Sequence, residues 1–143
     1  MKLKIKRFDK TLPLPVHKTS GAVAVDLYSR LNFTVEPKKI SVIPMNVAIQ
    51  IPDGYFVMMV SRSSTHKMGL MLVNSAGIFD RDFCGDNDEY NFLGYNFTDQ
   101  LVTIEKGTRL CQLLLIKCEN FEFEEVDKMD APDRGGIGST GIK

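Results

Sequence analysis

No window of a dozen residues in this 143-residue chain carries an apolar stripe at helical spacing, and that absence constrains the fold more than any motif. Helix is limited to a turn or two, around Ser64 to Met68. What the chain has instead is a series of short apolar pieces punctuated by turn residues. Leu3 to Phe8 alternates like an edge strand, and two prolines within Leu12 to Val16 rule out a helix there. Ala22 to Tyr28, Phe33 to Val35, Leu70 to Val73, Asn91 to Phe97, Leu101 to Ile104 and Leu110 to Cys118 continue the series. Ile40 to Ile51 is rich in Val and Ile, and Pro52-Asp53-Gly54 turns it into Tyr55 to Val60, so the two read as a hairpin. Phe121 to Val126 alternates aromatic and acidic residues, as a strand with one face in solvent does. Many short strands with frequent turns predict an all-β barrel or sandwich.

Composition sets the outer limits. With 43% hydrophobic and 25% charged residues, the chain is expected to be one domain with its own core over residues 1–129. Residues 130–143 turn to Asp, Pro and Gly with too little apolar content to pack, and read as an arm that stays flexible until something orders it. Eighteen Lys and Arg balance eighteen Asp and Glu. The balance offers no basis for nucleic-acid or membrane-surface binding, so any bound anion must be met by locally placed arginines. MKLKIKRF lacks the apolar run of a signal peptide, and no segment reaches membrane-spanning length. Three cysteines (Cys84, Cys111, Cys118) lack paired metal-ligand spacing, and His17 and His66 stand far apart. These point to a reducing cytoplasm, buried or half-buried thiols and no zinc site.

Five stretches carry candidate chemistry. NSAGIFDRDFCG, Asn74 to Gly85, reads as a strand ending in a tight turn that holds Asp80 as a candidate general base; taken alone, these residues read more simply with Asp80 and Asp82 as turn residues satisfying their own backbone. SRSS, residues 61–64, sets Arg62 beside Ser63 and Ser64, a grouping that suits phosphate oxygens or simply an exposed strand end. KGTRLCQLLLIK, residues 106–117, sets Arg109 and Gln112 three apart on an otherwise apolar strand. VDLYSR, residues 25–30, offers Asp26 as a metal or water partner or as a strand-end residue. RGGIGSTG, residues 134–141, has glycines and hydroxyls suited to wrapping a polyphosphate, but lacks the lysine and strand-to-helix setting of a P-loop.

The order of the five is more specific than any one of them, and it resembles the five motifs of the homotrimeric dUTP diphosphatases, or dUTPases, from about Val23 to Gly141. GDNDEY, residues 85–90, resembles the branch found in Gram-positive bacteria and their phages. The resemblance implies a jelly-roll-like, distorted β-barrel and a homotrimer with active sites between subunits, each closed by the glycine-rich arm of another chain. It implies hydrolysis of dUTP to dUMP and pyrophosphate by a magnesium-assisted attack of water on the α-phosphate. That reaction limits uracil incorporation into DNA and supplies dUMP for thymidylate synthesis. Asp80 is the implied base. Asn74, Gly77 and Ile78 are implied at the uracil edge, and Phe83 against the deoxyribose. Arg62, Ser63, Ser64, Gln112 and Arg134 are implied on the phosphates with Gly136, Ile137, Gly138, Ser139 and Thr140. Arg109 supports the site, and Asp26 meets through water a magnesium ion held mainly by the phosphates.

Three departures from the family pattern stand out. Phe83 replaces a usual tyrosine, which keeps the ring and removes a hydroxyl. Ile137 replaces the aromatic expected to stack on uracil, a loss of about 1–3 kcal/mol of binding if other nucleotide binders are a guide. The loop from Ser64 to Asn74 is about one residue short. Two rival readings follow: a dCTP deaminase, alone or bifunctional with dUTP hydrolysis, and a nucleotide-responsive regulatory module. The first lacks a further arginine after RSS and an apolar strand around Glu89; the second draws on GDNDEY and the altered last motif.

Overall fold

A computed structural model describes residues 1–136; Ile137, Gly138, Ser139 and Thr140 lie outside the described residues. Among the described residues the chain forms eleven strands and one short 3-10 turn. The strands are β1 (Lys4–Arg7), β2 (Val25–Tyr28), β3 (Phe33–Val35), β4 (Ile40–Pro44), β5 (Val47–Gln50), β6 (Tyr55–Ser61), β7 (Leu70–Leu72), β8 (Gly77–Phe79), β9 (Asn91–Asn96), β10 (Val102–Ile104) and β11 (Arg109–Lys117). The 3-10 turn, Thr65–Met68, falls where the sequence allows its only helical turn, and ends at Gly69 with φ of 78°. A Cβ there would lie 2.5 Å from the Thr98 methyl, so both backbone and space require glycine.

The strands pair antiparallel in four sheets: β1-β5, β3-β10, β2-β11-β6-β8 and β4-β9-β7. Together they make an all-β, distorted jelly roll. Alternation explains which side chains face in: along β9, Phe92, Gly94 and Asn96 are buried, while Asn91, Leu93 and Tyr95 are half-buried. The faces meet over one core in which Leu27, Ile43, Met59, Leu70, Phe92 and Leu110 are fully buried. Each such side chain contributes about 1.5–3 kcal/mol by leaving water.

One expected hairpin and one expected strand are absent among the described residues. Ile40 to Ile51 does not run on into a hairpin with Tyr55 to Val60: β4 pairs with β9, β5 with β1, and β6 with β11 and β8. The break is at Asn46, whose φ of 70° is left-handed. Asn46 is held there by Asp9, whose N–H donates to Asn46 Oδ1 (2.6 Å) and whose carbonyl accepts from Nδ2 (3.0 Å). Phe121 to Val126 is not a strand either. It has no ladder partner among the described residues, and Phe121 and Phe123 are 75% and 91% exposed, touching edge to face. Alternation marks a segment able to pair, but a strand needs a neighbour. The last strand among the described residues ends at Lys117.

Candidate active site

The first group of candidate residues gathers on the β2 edge of the four-stranded sheet. Arg62 leaves the end of β6 and its Nε donates to Asp26 Oδ1 at 2.9 Å; Arg109 donates from NH1 to Asp26 Oδ2 at 3.0 Å. Asp26 is thus a bridge between two guanidiniums, with its carboxylate 14% exposed. Arg62 NH1 also reaches Ser64 Oγ and the Arg109 carbonyl, each at 3.3 Å. Arg109 and Gln112 are an odd number of residues apart, which on a regular strand puts them on opposite faces. A register shift between Arg109 and Cys111 resolves this: Arg109 stands opposite Tyr28, Cys111 opposite Leu27, and Gln112 opposite Asp26. One residue is absorbed by the bulge, and both side chains come to the Asp26 face. Gln112 Nε2 donates to the Ser61 carbonyl at 3.3 Å, tying β11 to the end of β6. Ser63 is exposed beside this cluster.

Thr65 is the residue here that sequence reasoning missed. It is buried; its hydroxyl accepts from the Arg62 N–H at 3.1 Å and donates to the Leu110 carbonyl at 2.6 Å, locking the RSS turn onto β11. A third hydroxyl directly after RSS was the available signal. Cys111, fully buried at the same spot, has its thiol pKa pushed up by burial, so it stays protonated packing material.

The second group lies on the opposite edge. Asn74 is exposed, and Ser75, with φ of 61°, reverses the chain into β8 while Ala76 N–H donates to the Asn74 carbonyl. β8 lies against β6 with Gly77 opposite Met59 and Phe79 opposite Val57. A Cβ on Gly77 would sit 3.4 Å from Met59 and Phe79, an ordinary contact, so packing within the chain does not demand glycine; open backbone is what it adds. Ile78 points out, 56% exposed, and Asp80 follows on the exposed turn closed by Phe83 N–H to the Asp80 carbonyl. Asp80 lines an open cavity of about 560 Å³ with Asp53, Tyr55, Asp82, Cys84 and Cys118. Phe83, 39% exposed, belongs to an aromatic tier with Phe79 and Tyr90. Arg134 and Gly136 are exposed beyond the ladder.

The two groups do not meet within one chain. Asp26, Gln112 and Val60 share a level across β2, β11 and β6, while Phe79 is level with Val57. Phe79 is therefore about 14 Å across the sheet from Asp26, three strand spacings, and about 10 Å along it. Asp80 lies one residue farther on.

The acidic GDNDEY stretch is bonded into the fold. Lys6 Nζ donates to the Asp86 carbonyl at 2.6 Å, and Asp88 Oδ2 accepts from Gly85 N–H at 2.6 Å. Glu89 Oε1 accepts from Arg30 Nε and from Asn46 N–H, each at 2.8 Å. This partnership raises the Arg30 pKa, with burial opposing it.

Comparison with known proteins places these residues in context. The dUTPase family model matches residues 10–141. The chain is 36% identical over 145 residues to the SPbeta prophage-derived deoxyuridine 5'-triphosphate nucleotidohydrolase of Bacillus subtilis, covering 100% of both. It is 37% identical over 145 residues to the deoxyuridine 5'-triphosphate nucleotidohydrolase of Finegoldia magna, covering 97% of this chain and 99% of that one. In fold it matches the dUTPase of Staphylococcus bacteriophage 80alpha with dUPNHPP at a TM-score of 0.85 and 23% identity, over 99% of each chain. With a family match over nearly the whole length and relatives above the 30% level in sequence, the chain belongs to the dUTPase family.

Proposed function

We propose that this chain hydrolyses dUTP to dUMP and pyrophosphate in active sites shared between copies of itself, arranged as a homotrimer. The separation of its two groups of site residues carries the reading. A base on one sheet edge and a phosphate grip on the other cannot act on one α-phosphate from a single chain. Each is complete as half of a site that a second copy finishes.

In such a site the uracil edge meets Asn74 and the backbone of Gly77 and Ile78, and the deoxyribose rests on Phe83. Arg62, Ser63, Ser64 and Gln112 of another copy hold the phosphates, with Arg109 holding Asp26 and, through it, Arg62 in place. Arg134 and residues 135–141 of the arm close over the triphosphate. Asp80 accepts a proton from water as the water oxygen bonds to the α-phosphorus. The bond from that phosphorus to the bridging oxygen breaks, and pyrophosphate leaves with the electron pair. No cluster of three His, Cys, Asp or Glu able to hold a metal occurs among the described residues, and both Asp26 oxygens already accept from arginines. That donor set suits magnesium carried on the triphosphate, with Asp26 the residue that would meet its water shell. When bound, the ion supplies charge neutralisation at the phosphate oxygens. In the cytoplasm the reaction lowers the dUTP available to polymerases and makes dUMP for thymidylate synthesis.

Glu89 argues against the deaminase alternative, because Arg30 and Asn46 already occupy its carboxylate. Pyrophosphate release from dUTP, dCTP, dTTP and UTP tests the substrate, with dUTP expected to be turned over selectively. Mixing tests the shared site. Asp80→Asn and Arg62→Ala proteins, each inactive alone, are unfolded together and refolded; about a quarter of wild-type activity should return, since each composite site draws its two halves independently. No recovery from a mixture proven to contain hybrid oligomers would sink the shared-site reading.

A further inference from the structure

Behind the turn that follows β8 stands a buried tyrosine with no part in the reaction described above. Tyr90 is 0% exposed. Phe79 stacks on its ring with centroids 3.7 Å apart and planes 12° apart. Phe83 lies 6.1 Å from Tyr90 at 20°, and 6.2 Å from Phe79 at 31°. The ring is carried on a clamped backbone: Met45 N–H donates to the Tyr90 carbonyl at 2.9 Å, and Tyr90 N–H donates to the Val47 carbonyl at 2.8 Å. Between those two bonds, Asn46 N–H donates to Glu89, which Arg30 holds in turn. Residues 89 and 90 therefore straddle the break between β4 and β5 and cannot shift without undoing it.

Phe83 is held quite differently. It is 39% exposed, on a turn outside any strand, and it lacks the hydroxyl by which a tyrosine could tether its ring. A half-exposed phenyl ring held only by its own torsions samples several rotamers, whereas neighbouring rings with offset faces restrict it. The Tyr90 hydroxyl has no hydrogen-bond partner among the described residues, so what Tyr90 contributes here is its ring.

We propose that Tyr90 is a positioning residue for sugar selectivity. Its clamped ring, with Phe79, sets the height and tilt of Phe83, and discrimination against a ribose 2′-hydroxyl depends on a side chain that does not touch the nucleotide. The inference rests on the function proposed above and extends it. Steric exclusion of one hydroxyl needs a wall that does not yield, and here the stiffness comes from behind the wall.

The test measures kcat and KM for dUTP and UTP in the wild type, Tyr90→Phe, Tyr90→Leu, Phe83→Ala and the Phe83→Ala/Tyr90→Leu double variant. Tyr90→Phe keeps the stack and should keep the dUTP preference. Tyr90→Leu should lower the ratio of kcat/KM for dUTP over UTP by about tenfold, through KM, while kcat on dUTP holds within about threefold. In the Phe83→Ala background, adding Tyr90→Leu should change the ratio no further. An unchanged ratio in a folded Tyr90→Leu protein overturns the proposal whatever its melting temperature, and so do effects that simply multiply in the double variant. Should Tyr90→Leu not fold, Phe79→Leu removes the same support, with the same loss expected and the same unchanged ratio decisive against it. A wild-type protein that does not hydrolyse dUTP fails at the first measurement, which separates failure of the function from failure of the positioning role.

Discussion

At the β2 edge of the four-stranded sheet Asp26 is enclosed by two guanidiniums, whereas at the β8 edge the Asp80 carboxylate has no hydrogen bond or ion pair among the described residues. The first carboxylate is committed to the protein; the second is unpaired, as the base of the proposed reaction must be. The surrounding forces differ to match. Asp26, Arg62, Arg109, Ser64 and Thr65 hold one another by ion pairs and hydrogen bonds that fix two cations, the site the proposed function assigns to the phosphates. The turn bearing Asp80 stands on stacked rings, which fix shape without adding charge of their own near its carboxylate. In the proposed reaction, two aspartates separated by the width of one sheet are assigned opposite tasks, one holding the arginines and the other taking the proton.

Matched substitutions at the two aspartates break the comparison most sharply. Asp80→Asn should lower the rate by about 10²–10⁴-fold. Its stability should stay within about 0.5 kcal/mol of wild type, since an exposed unpaired group is changed. Asp26→Asn should instead cost stability. Removing one partner from a fully buried ion pair costs about 3–5 kcal/mol, and an exposed pair is worth about 0–1. With Arg62 24% and Arg109 43% exposed, about 2 kcal/mol is expected, discounted for solvent. Urea unfolding and dUTP turnover on the same preparations check both. An Asp80→Asn protein as destabilised as Asp26→Asn would erase the distinction.

The next effect sharpens the β2 edge alone. Thr65→Val keeps the volume and removes the hydroxyl between Arg62 N–H and the Leu110 carbonyl, leaving both without it. The cost should be about 1–2 kcal/mol. Because the RSS turn is loosened, KM for dUTP should rise while Asp80-dependent kcat is largely kept. Denaturant midpoints and Michaelis profiles read the two effects separately, and an unchanged midpoint would show that the bridge does not bind the turn.

How far the sequence foretold this arrangement depended on how local each cause is. β3 and β11 came within a residue of expectation because alternation and flanking turns are written in consecutive residues. The expected hairpin through Ile51 failed because Asn46, held by Asp9, parts β4 from β5, and β5 and β6 then take β1 and β11 as partners, contacts distant in sequence. Phe121 to Val126 failed because pairing needs a neighbour that alternation does not supply. In the site, Asp26, Arg62, Ser64 and Arg109 were nameable as motif residues; the structure joins Asp26 to both arginines and Arg62 to Ser64. The bulge that brings Gln112 opposite Asp26 was not legible, since register belongs to two strands at once. Nor was the Phe79 and Tyr90 stack, where neither residue type nor spacing marks the contact.

The smallest effect comes from a pair outside both edges and gauges what an ordinary surface ion pair does in this fold. Asp9 accepts from Lys106 at 2.5 Å and from Thr11 Oγ1 at 2.6 Å. The Lys106 contact first, then those to Thr11, hold its carboxyl well below the usual carboxylate range. A carboxylate with a depressed folded pKa contributes stability that is fully present above its unfolded value of about 4 and is lost as pH falls toward the folded value. Lys106→Ala should therefore lower the urea midpoint slightly at pH 6, and the gap from wild type should narrow as pH falls below 4. Thr11 keeps its bonds, so part of the depression should survive the substitution. The Asp26→Asn deficit at pH 6 should be several times that of Lys106→Ala. Equal deficits would mean that the two-arginine bridge is no more than a surface pair, and the electrostatic frame assigned to the β2 edge would lose its basis.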